Sequence, residues 1–223
     1  MRSIAIVLTM LVASSLPESA AIELFPISTP NSEYVNGTTL MSLSGYGIGD
    51  TVQVLTQGSQ SIEFSPTVVK SVVDPDNWET WGSPPATESS NPEILIHDSI
   101  SPLELKITQP VKTFGFELQG AVFNEATFLV SFFDDLNEIG SIERTVNGDA
   151  GALLFAGFAP NFAFNRIVIE NPGGISGGWA IANIRYSTTA VPEPSTYVLG
   201  ALATLVVGAI ARRNRSKTVR SAN

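Results

Sequence analysis

The chain has 223 residues, of which 43% are hydrophobic and 15% charged, a balance typical of a folded domain of moderate size and not of a disordered protein. It contains no cysteine, which excludes disulfides, thiolate nucleophiles and cysteine-ligated metal sites. A formal net charge of −9 disfavours nucleic acid as a partner and favours solubility, cations or basic partners.

Residues 1–21 have the pattern of a removable signal peptide. Arg2 supplies a positive charge, and the apolar run of residues 4–13 is too short to span a bilayer. Small residues follow, so a signal peptidase is expected to cut after Ala20 or Ala21. The alternative, a buried N-terminal helix, is disfavoured by the charge and by the small residues. We therefore predict that the rest of the chain is exported.

Residues 22–190 form the predicted ectodomain, an all-β unit without disulfide bonds. Short apolar alternations are separated by Gly, Pro, Asn and Asp, and no long stretch has helical periodicity. The predicted strands are 39–43, 51–55, 61–64, 67–73, 93–97, 103–107, 114–118, 128–132, 166–169 and 179–186. In 103–107 and 114–118 large apolar residues alternate with polar or small ones, so one face should pack inward while the other meets water. This pattern predicts an antiparallel β-sandwich.

A long proline-rich segment from Asp74 to Pro92 interrupts the strands and carries Trp78 and Trp81. Loops of this length are uncommon in compact domains and are often functional. Both rings are suited to stack on sugars if they are exposed, because an indole offers a flat apolar face and one polar group. The alternative, which is favoured, is that they cover one sheet, since tryptophans bury large areas.

No catalytic constellation is evident. His97 is the only histidine, and its neighbour Asp98 would point to the opposite face of a strand, so the pair does not indicate a Ser-His-Asp triad. The acidic run of residues 134–138 is predicted to be a hairpin connection and not an acid/base pair, although its oxygens leave calcium binding open. We therefore expect no enzyme, no cofactor and no dedicated metal site.

The end of the sequence has three parts with distinct physical character. Residues 191–196 place two prolines at alternate positions, which keeps the backbone extended. Residues 197–211 carry no charge and predict one short transmembrane helix. The basic residues in 212–220 are expected to stay cytoplasmic, so that the ectodomain faces the other side of the membrane. This cluster includes Arg212, Arg213, Arg215 and Lys217.

This tripartite segment resembles the PEP-CTERM sorting signal of Gram-negative bacteria. The motif consists of Val191, Pro192, Glu193, Pro194, Ser195 and Thr196. The resemblance implies recognition by an exosortase, a membrane-embedded peptidase that removes the helix and passes the ectodomain outward. It also implies a transient inner-membrane anchor with a periplasmic ectodomain, followed by the cell surface or extracellular matrix. A permanent single-span anchor is the alternative.

Features of residues 51–186 also resemble ectodomains that recur in PEP-CTERM proteins and look like the jelly rolls of carbohydrate modules. Where relatives often carry an acidic residue in the last strand, this chain has Ala182, which weakens any inherited metal role there. The leading hypothesis is a non-enzymatic surface or matrix protein associated with exopolysaccharide. The alternative is a carbohydrate-binding module, assisted by calcium or not.

Overall fold

The computed structural model describes residues 24–74, 78–174 and 177–191. The predicted signal peptide, the sorting motif from Pro192 onward, the apolar run 197–211 and the basic cluster lie outside these residues. Within them, no helix is long and apolar enough to cross a bilayer.

The described residues are almost entirely β-structure, as the sequence predicts. The only helix among them is α1 (Ser32–Gly37), which is capped by Asn31, whose side chain accepts a hydrogen bond from the Tyr34 N–H at 2.9 Å. The strands are β1 (Phe25–Ile27), β2 (Thr39–Leu40), β3 (Thr51–Gln57), β4 (Gln60–Val72), β5 (Glu93–His97), β6 (Leu103–Val111), β7 (Thr113–Gly120), β8 (Glu125–Asp134), β9 (Asn137–Asn147), β10 (Leu153–Phe158), β11 (Phe164–Glu170) and β12 (Trp179–Ser187).

All of these strands belong to one antiparallel sheet that folds around its own core. The order is β1-β10-β7-β12-β5-β4-β6-β11-β8-β9, while β2 pairs with β12 and β3 pairs with β4. The two edges of the sheet lie close to each other. Arg144 on β9 donates hydrogen bonds to the carbonyl of Ile27, the last residue of β1, at 3.1 Å and to that of Ser28 at 3.2 Å. The result is a nearly closed sandwich in which the edge strands are partly protected.

The core lies between the two halves of this sheet. Aromatic rings fill much of it: Phe128 packs edge-on against Trp179 at 5.6 Å between ring centroids, and Phe132 packs edge-on against Phe164 at 5.2 Å. Such pairs add about 0.5–1.5 kcal/mol beyond their burial. The chain has no cysteine, so this packing stabilises the domain without help from disulfides.

One prediction about strand faces is confirmed and one is wrong. On β6, buried Leu103, Leu105 and Ile107 alternate with less buried residues, as expected. Every residue of β7 is buried, although one of its faces was expected to meet water. The second face of β7 is covered by the segment that carries Trp81 and by α1, as described below.

The predicted strands differ from the observed ones mainly in the middle of the chain. Residues 61–64 and 67–73 were predicted as two strands but belong, apart from Val73, to the single strand β4. Pro66 lies between the β4 residues that pair with β6 and those that pair with β5, so its missing N–H interrupts neither ladder. Four elements, β1, α1, β9 and β10, were not expected from the sequence. The acidic run 134–138 is the β8–β9 hairpin, as predicted, with Asp134 opposite Asn137.

Close packing across β7 and β10 leads to a stability prediction. A Cβ added at Gly115 would lie 2.2 Å from Ala156 Cβ and 2.6 Å from the Tyr34 hydroxyl, whereas one added at Gly45 would meet nothing within 4 Å. We expect Gly115→Ala to lower the free energy of unfolding by about 1–3 kcal/mol or more, and Gly45→Ala to change it by less than about 0.5 kcal/mol. Chemical denaturation of both variants would check this. Equal stability of the two variants would contradict the described packing.

Candidate functional site

The Trp segment, defined as residues 78–92, lies over the outer face of the sheet at β7, β12 and β5. Trp81 is fully buried there, in a cluster with Ala180 and Ala182 of β12 and Ile94 of β5. The small alanine side chains leave room for the large indole. Its backbone is fixed as well, because the Ala152 N–H donates to the Trp81 carbonyl at 2.8 Å.

A buried carboxylate, Glu117 of β7, holds the Trp segment. Its Oε2 accepts hydrogen bonds from Trp81 Nε1 at 2.9 Å and from Asn183 Nδ2 at 3.1 Å, and its Oε1 accepts one from the Glu88 backbone N–H at 2.5 Å. Burial raises the pKa of Glu117, while these hydrogen bonds oppose that rise. Glu117 therefore joins the Trp segment to the sheet at two points, Trp81 and Glu88.

Arg185 of β12 makes a second attachment between the Trp segment and the sheet. Its Nε and Nη2 donate to the two carboxylate oxygens of Glu88 at 2.7 and 2.8 Å, a bidentate arrangement that is among the stronger ion pairs. Its Nη1 donates to the Val35 carbonyl of α1 at 3.1 Å. We call Glu117, Glu88 and Arg185, with Trp81, the clamp.

Beside the clamp, the Trp segment and the chain that leaves β7 enclose a pocket of about 210 Å³. Trp78 and Phe123 form its aromatic walls; Trp78 is partly exposed and Phe123 is 60% exposed. The remaining lining residues are Thr80, Gln119, Gly120, Ala121, Val122 and Gly148. The pocket thus combines two accessible aromatic side chains with a small number of polar groups, as ligand pockets commonly do.

The polar groups of this pocket are held in place by one another. Gln119 donates through Nε2 to Thr80 Oγ1 at 2.6 Å and to the Gly148 carbonyl at 3.0 Å, and Thr80 Oγ1 donates to the same carbonyl at 2.6 Å. Gln119 Oε1 is buried and accepts no hydrogen bond from the part of the chain that the structure describes. Because this oxygen is covered by protein atoms, it is not open to a donor that enters the pocket.

The structure separates the two tryptophans that the sequence analysis considered together. Trp81 has no exposed surface and therefore covers the sheet, which is the alternative that the sequence favoured. Trp78 packs edge-on against it, with ring centroids 6.4 Å apart, and keeps part of its surface open at the pocket. Phe123 was not expected at the site from the sequence, where its only signal is an aromatic residue between the predicted strands 114–118 and 128–132.

The remaining candidate residues are not brought together into a site. His97 is buried against the ring of Trp179, and its Nε2 hydrogen-bonds the Ser101 carbonyl at 2.8 Å; burial lowers the pKa of His97. Asp135 interacts with Asn165, which donates through Nδ2 to Asp135 Oδ1 at 2.6 Å. Among residues 24–74, 78–174 and 177–191, no group of three or more acidic or histidine side chains is arranged to hold a metal ion.

Comparisons with known proteins give only distant structural likeness. No family model matches the chain. No curated protein matches it either. A variant of the family 29 carbohydrate-binding module CBM29-2 is similar with 13% identity and a TM-score of 0.33, covering 77% of this chain and 98% of that one. The family 61 module TmCBM61, solved with β-1,4-galactotriose, has 15% identity and a TM-score of 0.32, covering 57% and 87%.

The enzymatically active domain of tailspike protein 4 from bacteriophage CBA120 is also similar, with 18% identity and a TM-score of 0.36. The match covers 70% of this chain, which spans only 22% of the length of the tailspike chain. All of these values are too low to assign a family or to transfer a ligand.

The clamp leads to a prediction about stability. In Glu117→Gln, the amide NH₂ replaces an acceptor and faces either the Glu88 N–H or the donors of Trp81 and Asn183. We expect the free energy of unfolding to fall by about 1–3 kcal/mol, the cost of leaving buried donors unpaired. Glu143→Gln is the matched control because Glu143 is exposed on β9, and it should change stability by less than about 0.5 kcal/mol. Denaturant titration at constant pH measures both.

The raised pKa of Glu117 adds a dependence on pH. Between the two pKa values, the Glu117 carboxyl keeps a proton in the folded state that it releases in the unfolded chain. The stability that comes from this proton is complete below 4.5, the ordinary pKa of the group, and is lost as pH rises through the raised pKa. The stability difference between the wild type and Glu117→Gln should therefore narrow as pH increases above 4.5. A difference that is constant or widens would contradict a raised pKa.

Proposed function

We propose that this chain is an exported, non-enzymatic surface protein whose β-domain binds carbohydrate in the pocket between Trp78 and Phe123. The observation that carries the proposal is the pairing of these two accessible aromatic side chains with the polar floor formed by Gln119 and Thr80. Sugar rings present both C–H faces and hydroxyl groups. A pocket with aromatic walls and fixed hydrogen-bonding groups matches both kinds of surface.

The size of the pocket indicates how much of a glycan it holds. At about 210 Å³ it lies below the range of roughly 300–1,000 Å³ typical of pockets that enclose drug-sized ligands. We therefore propose that it accepts one sugar ring at a time, with the rest of the glycan outside.

The route of export rests on the sequence outside the described residues. Residues 1–21, the 191–196 motif, the apolar run 197–211 and the basic tail 212–220 support processing by a signal peptidase and an exosortase. In this proposal the inner membrane is a transient anchor, and the jelly-roll-like ectodomain then reaches the cell surface or matrix, where exopolysaccharide is a fitting ligand.

The binding proposal predicts the behaviour of three variants on a glycan array and in titrations with the glycans that score. Trp78→Ala and Phe123→Ala should each weaken binding by tenfold or more, since truncating an aromatic hot spot costs about 2 kcal/mol or more. Phe162→Ala is the matched control, because Phe162 is an exposed aromatic residue outside the pocket. Retained affinity in both pocket variants, or equal loss in the control, would rule out this pocket as the binding site.

The sorting proposal predicts the mature termini of the protein. Mass spectrometry of protein recovered from exosortase-positive cells should show loss of residues 1–21 and of residues 197–223. In cells that lack the exosortase, the C-terminal residues should remain and the protein should fractionate with the membrane. Mature protein that retains residues 197–223 in both strains would instead indicate a permanent anchor.

A further inference from the structure

Residues 188–191, which follow β12, form a short arm that is fixed to the domain. Thr113, the fully buried first residue of β7, donates through Oγ1 to the Thr189 carbonyl at 3.0 Å and accepts from the Val191 N–H at 2.9 Å. The chain therefore remains attached to the domain up to the first residue of the sorting motif.

Apolar side-chain packing also fixes the arm to the domain. Ala190 packs against the buried cluster that includes Ile27 and Tyr34. Val191 lies so close to α1 that a Cβ added at Gly37 would be 2.8 Å from its Cγ1. The arm thus has hydrogen bonds on one side and apolar contacts on the other, and it leaves no flexible spacer before Pro192.

The arm and the pocket lie at opposite ends of β7. Thr113 contacts the arm, whereas Gln119 and Gly120 at the other end of the strand line the pocket. Seven residue steps along an antiparallel strand cover about 23 Å. The pairing with β12 gives the same direction, because Ser187 lies opposite Thr113 and Trp179 lies opposite Gly120.

The sequence limits how far the arm can be from a membrane. Six Cα–Cα steps separate Val191 from Tyr197, the start of the apolar run, and they span about 22 Å at most. Pro192 and Pro194 restrict the backbone of this connection further. The net negative charge of the chain also opposes close approach of the rest of the domain to anionic lipid.

We infer that the membrane-anchored precursor holds the Thr113 end of its domain toward the bilayer and presents the Trp78–Phe123 pocket away from it. The pocket is then open to a glycan in the aqueous phase before the C-terminal segment is removed, so ligand binding does not wait for processing. This inference rests on the proposed function, because it takes the membrane span and the pocket from there.

Single-cysteine labelling of the full chain in lipid vesicles tests this orientation. The chain has no native cysteine, so Asn124→Cys and Asn161→Cys each introduce one thiol. Both asparagines are exposed: Asn124 accepts a hydrogen bond from Gly148 at the pocket, and Asn161 follows Pro160, whose carbonyl accepts one from Lys112 beside the arm. A fluorophore on each thiol is exposed to a quencher attached to lipid headgroups.

We expect at least about twofold stronger quenching at position 161 than at position 124, because the pocket end lies about 23 Å further along β7. Inserting a flexible Gly/Ser spacer of about 20 residues between Val191 and Pro192 should reduce this difference, since such a chain reaches about 25 Å. Equal quenching at both positions in the unmodified chain would overturn the orientation while leaving the proposed function intact. Failure of the chain to float with vesicles would overturn the membrane span and the inference with it.

Discussion

The clamp is the interaction on which the rest of the structure depends. Without the contacts of the clamp, the outer face of β7 and β12 would expose the Glu117 carboxylate and a row of small apolar side chains to water. Glu117 of β7 and Arg185 of β12 instead bind the Trp segment to the sheet, and Trp81 fills the space left by Ala180 and Ala182. A buried carboxylate is costly to desolvate, so it is tolerated only because three donors converge on it.

The same segment links stability to the proposed function. Trp81 is part of the hydrophobic interior, whereas Trp78, three residues earlier, packs against it and forms a wall of the pocket. Thr80, which lies between the two tryptophans in the sequence, accepts a hydrogen bond from Gln119 at the floor of the pocket. The pocket is therefore preformed by packing and does not need to be assembled by the ligand, which lowers the entropic cost of binding.

Sequence reasoning succeeded where pattern and burial coincide. The strand β5, Glu93–His97, was predicted with its observed ends because a short apolar run is bounded by Pro92 and Asp98. Burial and side-chain partners that depend on contacts between distant parts of the chain could not be predicted. The second face of β7 is buried by a segment distant in the chain, and the Glu117–Trp81 hydrogen bond joins residues 36 positions apart. A usable signal was the row of alanine and glycine on one sheet face, which indicates a large covering side chain.

Amide hydrogen exchange at Glu88 tests the central claim, that the clamp fixes the Trp segment to the sheet. The Glu88 N–H donates to Glu117 Oε1 from within an irregular segment. If the clamp holds, this amide should exchange only when the whole domain unfolds, with an opening free energy equal to that of amides in β7 and β12. Exchange at the rate of an exposed loop amide would contradict the account, because the Trp segment would then open independently of the sheet.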